Sequence, residues 1–419
     1  MAVDILNELA WRDAINQVTD EDGLRELTQK ESIGLYAGID PTGDSMHIGH
    51  LIPFMILKRF QLVGHKPVIV VGGGTGSIGD PSGKKSERKL LSQEDVAANV
   101  EKIRAQMAKL FGENGFTIVN NNDWLGQMSL LGMLRDYGKL FSINSMLAKD
   151  VVASRLEAGI SFTEFTYQIL QAIDFYELYQ REHVRLQIGG SDQWGNITNG
   201  VDLIHKLVAN DAPAFGLTVP LLLKSDGTKF GKTEGGAVWL DPEKTTPFEF
   251  YQFWLNTADA DVEKMLKFFT FLTQDEVANL VADLAKNASE RHAQRRLAQE
   301  VTTFVHGEEA MHTAEFMTNV LFGNADVATL TTDQVAVLAG NVPTFAVDNT
   351  EIGLLDLVVA AGFEKSKTAA RRSVKDGAVR VNGVQIKDED AVINPADKYD
   401  GKYIIVKRGK KKWAVAVIK

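Results

Sequence analysis

Apolar and polar positions along the first half of the chain alternate between two periodicities. Residues 33–40 form a short apolar run that ends in the turn Pro41-Thr42-Gly43, which predicts a strand. From about residue 44 to 62, Ile48, Leu51, Ile52, Met55, Ile56 and Phe60 recur at nearly helical spacing. The run Pro67-Val68-Ile69-Val70-Val71 is apolar throughout, as a parallel strand buried on both faces should be, and it stops at three glycines, 72–74. Ser92-Gln93-Glu94-Asp95 opens a predicted helix that runs to about Phe111. Residues 117–119 and 184–188 read as further strands, the second ending in Gly189-Gly190. Strands alternating with helices predict an α/β fold with a Rossmann-like, doubly wound parallel sheet. Ligands on such sheets lie at the carboxyl ends of the strands, where these glycines fall.

Beyond residue 247 the pattern becomes helical and glycine-poor, with Thr273-Gln274-Asp275-Glu276 as another helix start. The expected organisation is a Rossmann-like α/β domain over 1–235, an α-helical domain over 236–325, a linker over 326–351 and a small α+β domain over 352–418. In that last domain a basic amphipathic helix over 366–374 is broken by Asp376-Gly377. A strand then meets Asn382-Gly383, a strong hairpin signal.

Composition narrows the class. With 419 residues, 44% hydrophobic and 24% charged, the chain is globular and long enough for roughly two to four domains. It has no cysteine, so disulfide frameworks, thiolate metal sites and a cysteine nucleophile are excluded. No apolar run reaches the ~18–20 residues a membrane helix needs. Met1-Ala2-Val3-Asp4 lacks the basic and apolar regions of a secretory leader, so a cytoplasmic protein is expected. The net charge of −10 conceals a division. Residues 365–419 carry 15 Lys and Arg against 6 Asp and Glu, whereas the other 364 carry 30 against 49. A basic tail on an acidic body suits a polyanionic partner, or a solvated lysine-rich surface.

Four segments carry candidate chemistry. His47-Ile48-Gly49-His50 places two imidazoles on one face at a helix start, where backbone N–H groups already favour an anion. They could donate to a phosphate, though such a pair is also compatible with two surface histidines; without a third ligand they do not suggest zinc. Residues 72–80 contain a literal G-x-G-x-x-G. About 65 residues precede that strand, however, whereas a dinucleotide fold carries the fingerprint on its first βα unit. The polar segments 81–88 and 224–233 each bring cations beside glycines but lack the spacing of a P-loop. Tyr167, Gln171 and Asp174 form a polar stripe on an otherwise apolar helix, lining a pocket or facing solvent.

Taken together and in order, these segments resemble the bacterial tyrosyl family of class I aminoacyl-tRNA synthetases. His47-Ile48-Gly49-His50 is similar to the HIGH motif, and Lys229-Phe230-Gly231-Lys232-Thr233 to a degenerate KMSKS loop that keeps both lysines. Residues 187–196 resemble the family's pocket segment, and 352–418 its S4 RNA-binding domain. The resemblance implies a ligase that activates L-tyrosine with ATP and Mg²⁺ and charges tRNA(Tyr), as a homodimer, with no prosthetic group, no metal site of its own and no membrane contact. It implies that Tyr36 and Asp174 bind the substrate phenol, while Tyr167, Gln171, Asp80 and Gln193 surround its ammonium. Gly38, Asp40, Gly190 and Asp192 would line the nucleotide channel. Thr42, His47, His50, Lys84, Arg88, Lys229 and Lys232 would grip the phosphates, His47, His50 and Lys232 also counting as ATP contacts. Lys367, Arg371, Arg372, Lys407, Arg408, Lys410, Lys411 and Lys412 would meet tRNA. A non-catalytic RNA-binding protein derived from a synthetase is the alternative, opposed by the intact motifs; a tryptophanyl enzyme is opposed by the Tyr36 and Asp174 pair.

Overall fold

Valine and isoleucine runs fold into strands here because both their faces are covered. The computed structural model describes residues 4–82, 92–153, 155–156, 159–225, 227–228, 230–233, 236–323, 325–348, 351–409 and 411–419. They form two units, Met1–Gly307 and Glu308–Lys419.

The first unit holds a six-stranded sheet of β1 (Gln17–Val18), β2 (Gly34–Ile39), β3 (Lys66–Val71), β4 (Thr117–Asn120), β5 (Val184–Gly190) and β6 (Phe215–Val219). Their order is β1-β6-β5-β2-β3-β4. All neighbours are parallel except β1, a two-residue antiparallel edge on β6. The chain winds outward from β2 through β3 to β4, then returns to build β5 and β6 on the other side. The carboxyl ends of β2 and β5 therefore flank a topological switch point, where open α/β sheets bind ligands.

Helices Phe162–Arg181 and Trp194–Leu207 cover the face presented by Tyr36, Val68, Val70 and Val184. Helix Leu51–Leu62 packs on β2, β3 and β5. The helix predicted from residue 44 begins four residues later, as a 3₁₀ turn at Ile48–His50. The Met46 N–H is committed to Gln106 Oε1 at 3.0 Å, and His47 is extended (φ −115, ψ 168). Ser92 caps helix Gln93–Phe111 as its spacing predicts. Helices Pro247–Leu255, Asp259–Phe269, Gln274–Asn287 and His292–His306 complete the unit, with capping boxes at Thr246/Glu249 and Thr273/Glu276.

In the second unit strands run in the order Val384–Gln385, Val379–Val381, Tyr403–Arg408, Lys412–Ile418, Thr344–Val347. Helices Leu354–Ala360 and Lys367–Lys375 cover one face through Leu354, Leu357, Val358 and Val374. Asn382 and Gly383 both have positive φ, 47° and 88°, as a type I′ hairpin requires. The linker expected over 326–351 is a correction. Residues Thr332–Ala339 form a helix with a Thr331/Gln334 capping box, and Thr344–Val347 adds a parallel edge strand to the sheet. Its partner strand lies some 70 residues away, which local patterning does not reveal. Helix Glu308–Leu321, expected with the helical domain, belongs to this unit instead.

Candidate active site

At the switch point the carboxyl ends of β2 and β5 open a cavity of about 650 Å³. It gathers Tyr36, Gly38 and Asp40 from β2 and the residues after it, and Gly190, Asp192 and Gln193 from the end of β5 and its sequel. Tyr167, Gln171 and Asp174 face it from helix Phe162–Arg181, so the polar stripe on that helix points inward. Thr42, His50 and Asp80 complete the predicted set that it brings together. A second cavity of about 310 Å³ shares Gly38, His50, Gly190 and Asp192 and continues over Pro53, Leu222 and Phe230.

The deep end is built for a hydroxyl group. Asp174 is buried, and its carboxylate accepts from Trp124 Nε1 at 2.7 Å and Asn121 Nδ2 at 2.9 Å. Burial raises its carboxyl to about 7, against those two hydrogen bonds, which lower it; nearby Asp40 and Glu177 add to the rise. The Tyr36 hydroxyl, also buried, has no hydrogen-bond partner among the described residues. Burial, then the charge of Asp174, pushes that phenol well above its ordinary pKa, so it remains a donor. An orphaned buried hydroxyl beside a buried carboxyl is costly unless a ligand completes it.

The middle is acidic and cross-braced. Asp40 accepts from Thr75 Oγ1 at 2.8 Å and from the Tyr167 hydroxyl at 3.1 Å. A Cβ at Gly72 would come within 2.1 Å of Asp40 Oδ1, so only glycine lets the strand end approach this carboxylate. Asp80 accepts from Gln193 Nε2 at 2.8 Å, and Asn196 donates to both Gln171 Oε1 and Gln193 Oε1 at 3.1 Å. The literal G-x-G-x-x-G thus serves these brackets: the Gly74 N–H donates to Asn121 Oδ1 at 2.8 Å, and Asn121 reaches Thr75 as well as Asp174.

At the mouth the two imidazoles stack, with centroids 3.9 Å apart and planes within 14°. His47 Nδ1 accepts the Gly49 N–H, and His50 Nδ1 accepts the His47 N–H. With both Nδ1 atoms accepting, each neutral ring carries its proton on Nε2, a donor suited to an anion. The segment after the predicted lysine loop lies alongside. Ile48 N–H donates to Val238 O at 2.9 Å, Leu240 N–H donates to Met46 O at 2.8 Å, and His47 bridges Trp239. A Cβ at Gly231 would stand 3.5 Å from Gly49 N, so the loop backbone crosses the imidazole motif directly. Lys84, Arg88, Lys229 and Lys410 lie outside the described residues, as does the side chain of Lys232.

Asn121 and Trp124 escape sequence reasoning, and Thr75 and Asn196, though inside segments it singles out, receive no role of their own there. The carboxyl-end rule applied to β4 would have drawn attention to residues 120–122; nothing local marks Trp124. In the second unit Arg372, Lys411 and Lys412 are exposed, whereas Lys367 pairs with Asp356 and Arg371 with Glu389. Lys407 lies 4.1 Å over the Trp413 ring. Arg408 is turned inward, to Glu364, Ser373 and Phe363 O, and closes the fold there.

Comparison with known proteins adds to this geometry. A family profile described as tRNA synthetases class I (W and Y) matches residues 28–323, and one described as a tyrosine--tRNA ligase SYY-like C-terminal domain matches residues 334–416. A tyrosine--tRNA ligase of Limosilactobacillus reuteri is 59% identical over 417 residues, covering 100% of both chains. One from Pediococcus pentosaceus is 59% identical over 418 residues, again covering 100% of both. Among solved structures, a C-terminally truncated mitochondrial tyrosyl-tRNA synthetase of Aspergillus nidulans aligns at 34% identity with a TM-score of 0.68, over 76% of this chain and 94% of that one.

Proposed function

The chain belongs to the class I tRNA synthetases of the tryptophan and tyrosine type and has tyrosine--tRNA ligase activity, and we propose how its cavity performs that reaction. The carrying observation is the Tyr36 hydroxyl and Asp174 carboxyl at the blind end of a cavity whose mouth holds the stacked imidazoles. The phenol of L-tyrosine fits between the first two, accepting from Tyr36 and donating to Asp174. Its ammonium then falls among Asp80, Gln171 and Tyr167. Phenylalanine would leave the buried pair incomplete, the mode of selection for which this enzyme class is the standard example. ATP spans the second cavity, with its ribose at Asp192 and its base near Gly38.

The tyrosine carboxylate attacks the α-phosphorus and the bond to pyrophosphate breaks, giving tyrosyl-adenylate. The tRNA 3′ hydroxyl then attacks the tyrosyl carbonyl and AMP leaves. The attacking carboxylate is already ionised, so the protein needs no general base for the first step. It must instead stabilise charge that develops on the phosphates. His47 and His50 Nε2–H, with Thr42, Lys84, Arg88, Lys229 and Lys232, supply donors for that charge. Among the described residues no group of three or more His, Asp and Glu side chains forms a cage for a metal. Mg²⁺ is therefore read as the companion of ATP, held by phosphate oxygens and water.

A homodimer is part of this reading. Leu130, Leu131 and Ile143 expose large apolar side chains on the segments before the cavity helix, Leu131 at 78%, and Phe162 does so at 74% as the first residue of that helix. A cytoplasmic location is part of the same reading, by likeness to the bacterial ligases; separately, no described helix is long and apolar enough to cross a membrane.

Tyrosine-dependent exchange of pyrophosphate into ATP tests the proposal. Exchange driven by tryptophan rather than tyrosine would overturn the assignment of the deep end. Recognition should also depend on pH. The phenolic O–H pairs better with a carboxylate than with a neutral acid, and Asp174 sits at about 7. Binding then favours the ionised form, which predominates at pH 8 and is scarce at pH 6. The Kd for tyrosine without ATP should rise by about tenfold between pH 8 and pH 6; a flat profile in equilibrium dialysis would remove Asp174 ionisation from recognition. For tRNA, replacing Arg372, Lys411 and Lys412 together by alanine should raise the KM for tRNA and flatten its salt dependence. Pyrophosphate exchange should remain unchanged, and an unaltered salt slope would show those side chains to be merely solvated.

A further inference from the structure

The lysine loop is anchored from outside the cavity by residues that take no part in the site. Between Lys224 and Thr228 the chain closes a narrow turn: Lys224 N–H donates to Thr228 O and Gly227 N–H to Lys224 O, both at 2.9 Å. The tip of this turn is gripped by Asp261 in the first turn of helix Asp259–Phe269. Its Oδ1 accepts the Ser225 N–H at 2.8 Å and its Oδ2 the Ser225 hydroxyl at 3.2 Å. Asp261 is 8% exposed although Ser225 itself is exposed, so the carboxylate is held in the protein while its partner rides on the loop.

A second anchor follows five residues on. Phe230, between the two lysine positions, inserts its ring among Phe269, Trp254 and Phe253 at centroid distances of 5.1, 5.6 and 5.8 Å. A cavity of about 890 Å³ lies behind, lined by Ser225, Phe230, Phe253 and Asp261 among others. Among the described residues, the Asp261 and Phe230 contacts thus tie both ends of the loop to helix Asp259–Phe269 and its neighbours.

The far end of helix Asp259–Phe269 is pinned in turn. Arg59, fully buried, donates to Lys267 O at 3.1 Å, Phe268 O at 2.9 Å and Thr270 O at 2.8 Å. Arg59 belongs to helix Leu51–Leu62, which continues directly from His47 and His50. Two helices joined through Arg59 thus link the base of the imidazole motif to the tip of the lysine loop.

We propose that Asp261 is a positioning residue for adenylate formation, setting where Lys229 and Lys232 stand relative to His47 and His50. The inference rests on the ligase reading and adds a residue that touches neither substrate. An ordinary role as an acidic first-turn residue would affect helix stability but not one chemical step selectively.

The test is single-turnover adenylate formation, normalised to titrated active sites and run at saturating tyrosine and ATP. Asp261→Ala should lower that rate constant by about tenfold or more, as misplaced transition-state contacts do, and leave the tyrosine Kd unchanged. Asp261→Asn keeps the acceptor for the Ser225 N–H and should recover most of the rate. Transfer of tyrosine from preformed adenylate to tRNA should proceed at the wild-type rate. An Asp261→Ala rate within twofold of wild type, or equal losses in both steps, would overturn the proposal. Ser225→Ala, which deletes the hydroxyl bond alone, should slow adenylation measurably, and a wild-type rate there would count against the proposal even where Asp261→Ala yields no titratable sites. A wild-type protein without tyrosine-dependent exchange would instead sink the ligase reading.

Discussion

Asp174→Ala is expected to abolish tyrosine activation. The side chain is the buried carboxylate beside the Tyr36 hydroxyl, and its loss does more than delete one hydrogen bond. Asn121 Nδ2 and Trp124 Nε1, which donate to it at 2.9 and 2.7 Å, would be left buried and unpaired. The Tyr36 hydroxyl would stay protonated through burial but lose the neighbouring charge that adds to that shift. Each unsatisfied buried polar group costs about 1–3 kcal/mol, so the pocket would reorganise or admit water, and the phenol would meet donors alone. Pyrophosphate exchange at saturating ATP measures the outcome. Activity near that of wild type would remove Asp174 from the substrate pocket. A merely raised KM with intact kcat would assign it to ground-state binding only.

Lys232→Ala should produce the second large effect, a fall in the adenylation rate on the order of 10²–10³ with little change in tyrosine affinity. Backbone geometry supports it. Lys232 belongs to a short hairpin with Gly236–Ala237, and the residue before it passes directly over Gly49. On the proposed mechanism a cation at this position would meet the leaving pyrophosphate, where charge grows only as the bond to the α-phosphorus breaks. Such a contact lowers the barrier without strengthening substrate binding. Pre-steady-state adenylation together with tyrosine binding separates the two. Equal losses in rate constant and affinity would show that the lysine holds the ground state instead.

What could be read from the chain alone was whatever neighbours in sequence determine. Ser92 and Thr273 cap helices because the groups they satisfy lie within the next turn. Asn382-Gly383 makes its turn because both residues tolerate positive φ. The inward stripe of Tyr167, Gln171 and Asp174 was visible as a pattern, but its direction was not, since facing a pocket depends on β2 and β5 standing opposite. Contacts between distant segments stayed hidden. Trp124 reaches Asp174 across 50 positions and Ser225 reaches Asp261 across 36, with no periodicity to mark either. Strand Thr344–Val347 looked like linker because its hydrogen bonds come from the far end of the chain. Arg408, a cation in a basic stretch, also pairs with Glu364 and Ser373, which its sequence neighbours do not show.

Arg12 buries its guanidinium against the carbonyl oxygens of Lys267, Thr270 and Leu272, 255 to 260 positions downstream. During synthesis that cation emerges from the ribosome long before its acceptors exist. The amino-terminal helix therefore cannot reach its final seat until nearly all of the first unit has been translated. The hydrogen bonds that seat Arg12 thus belong to the contacts that can form only once residues 267–272 have been made.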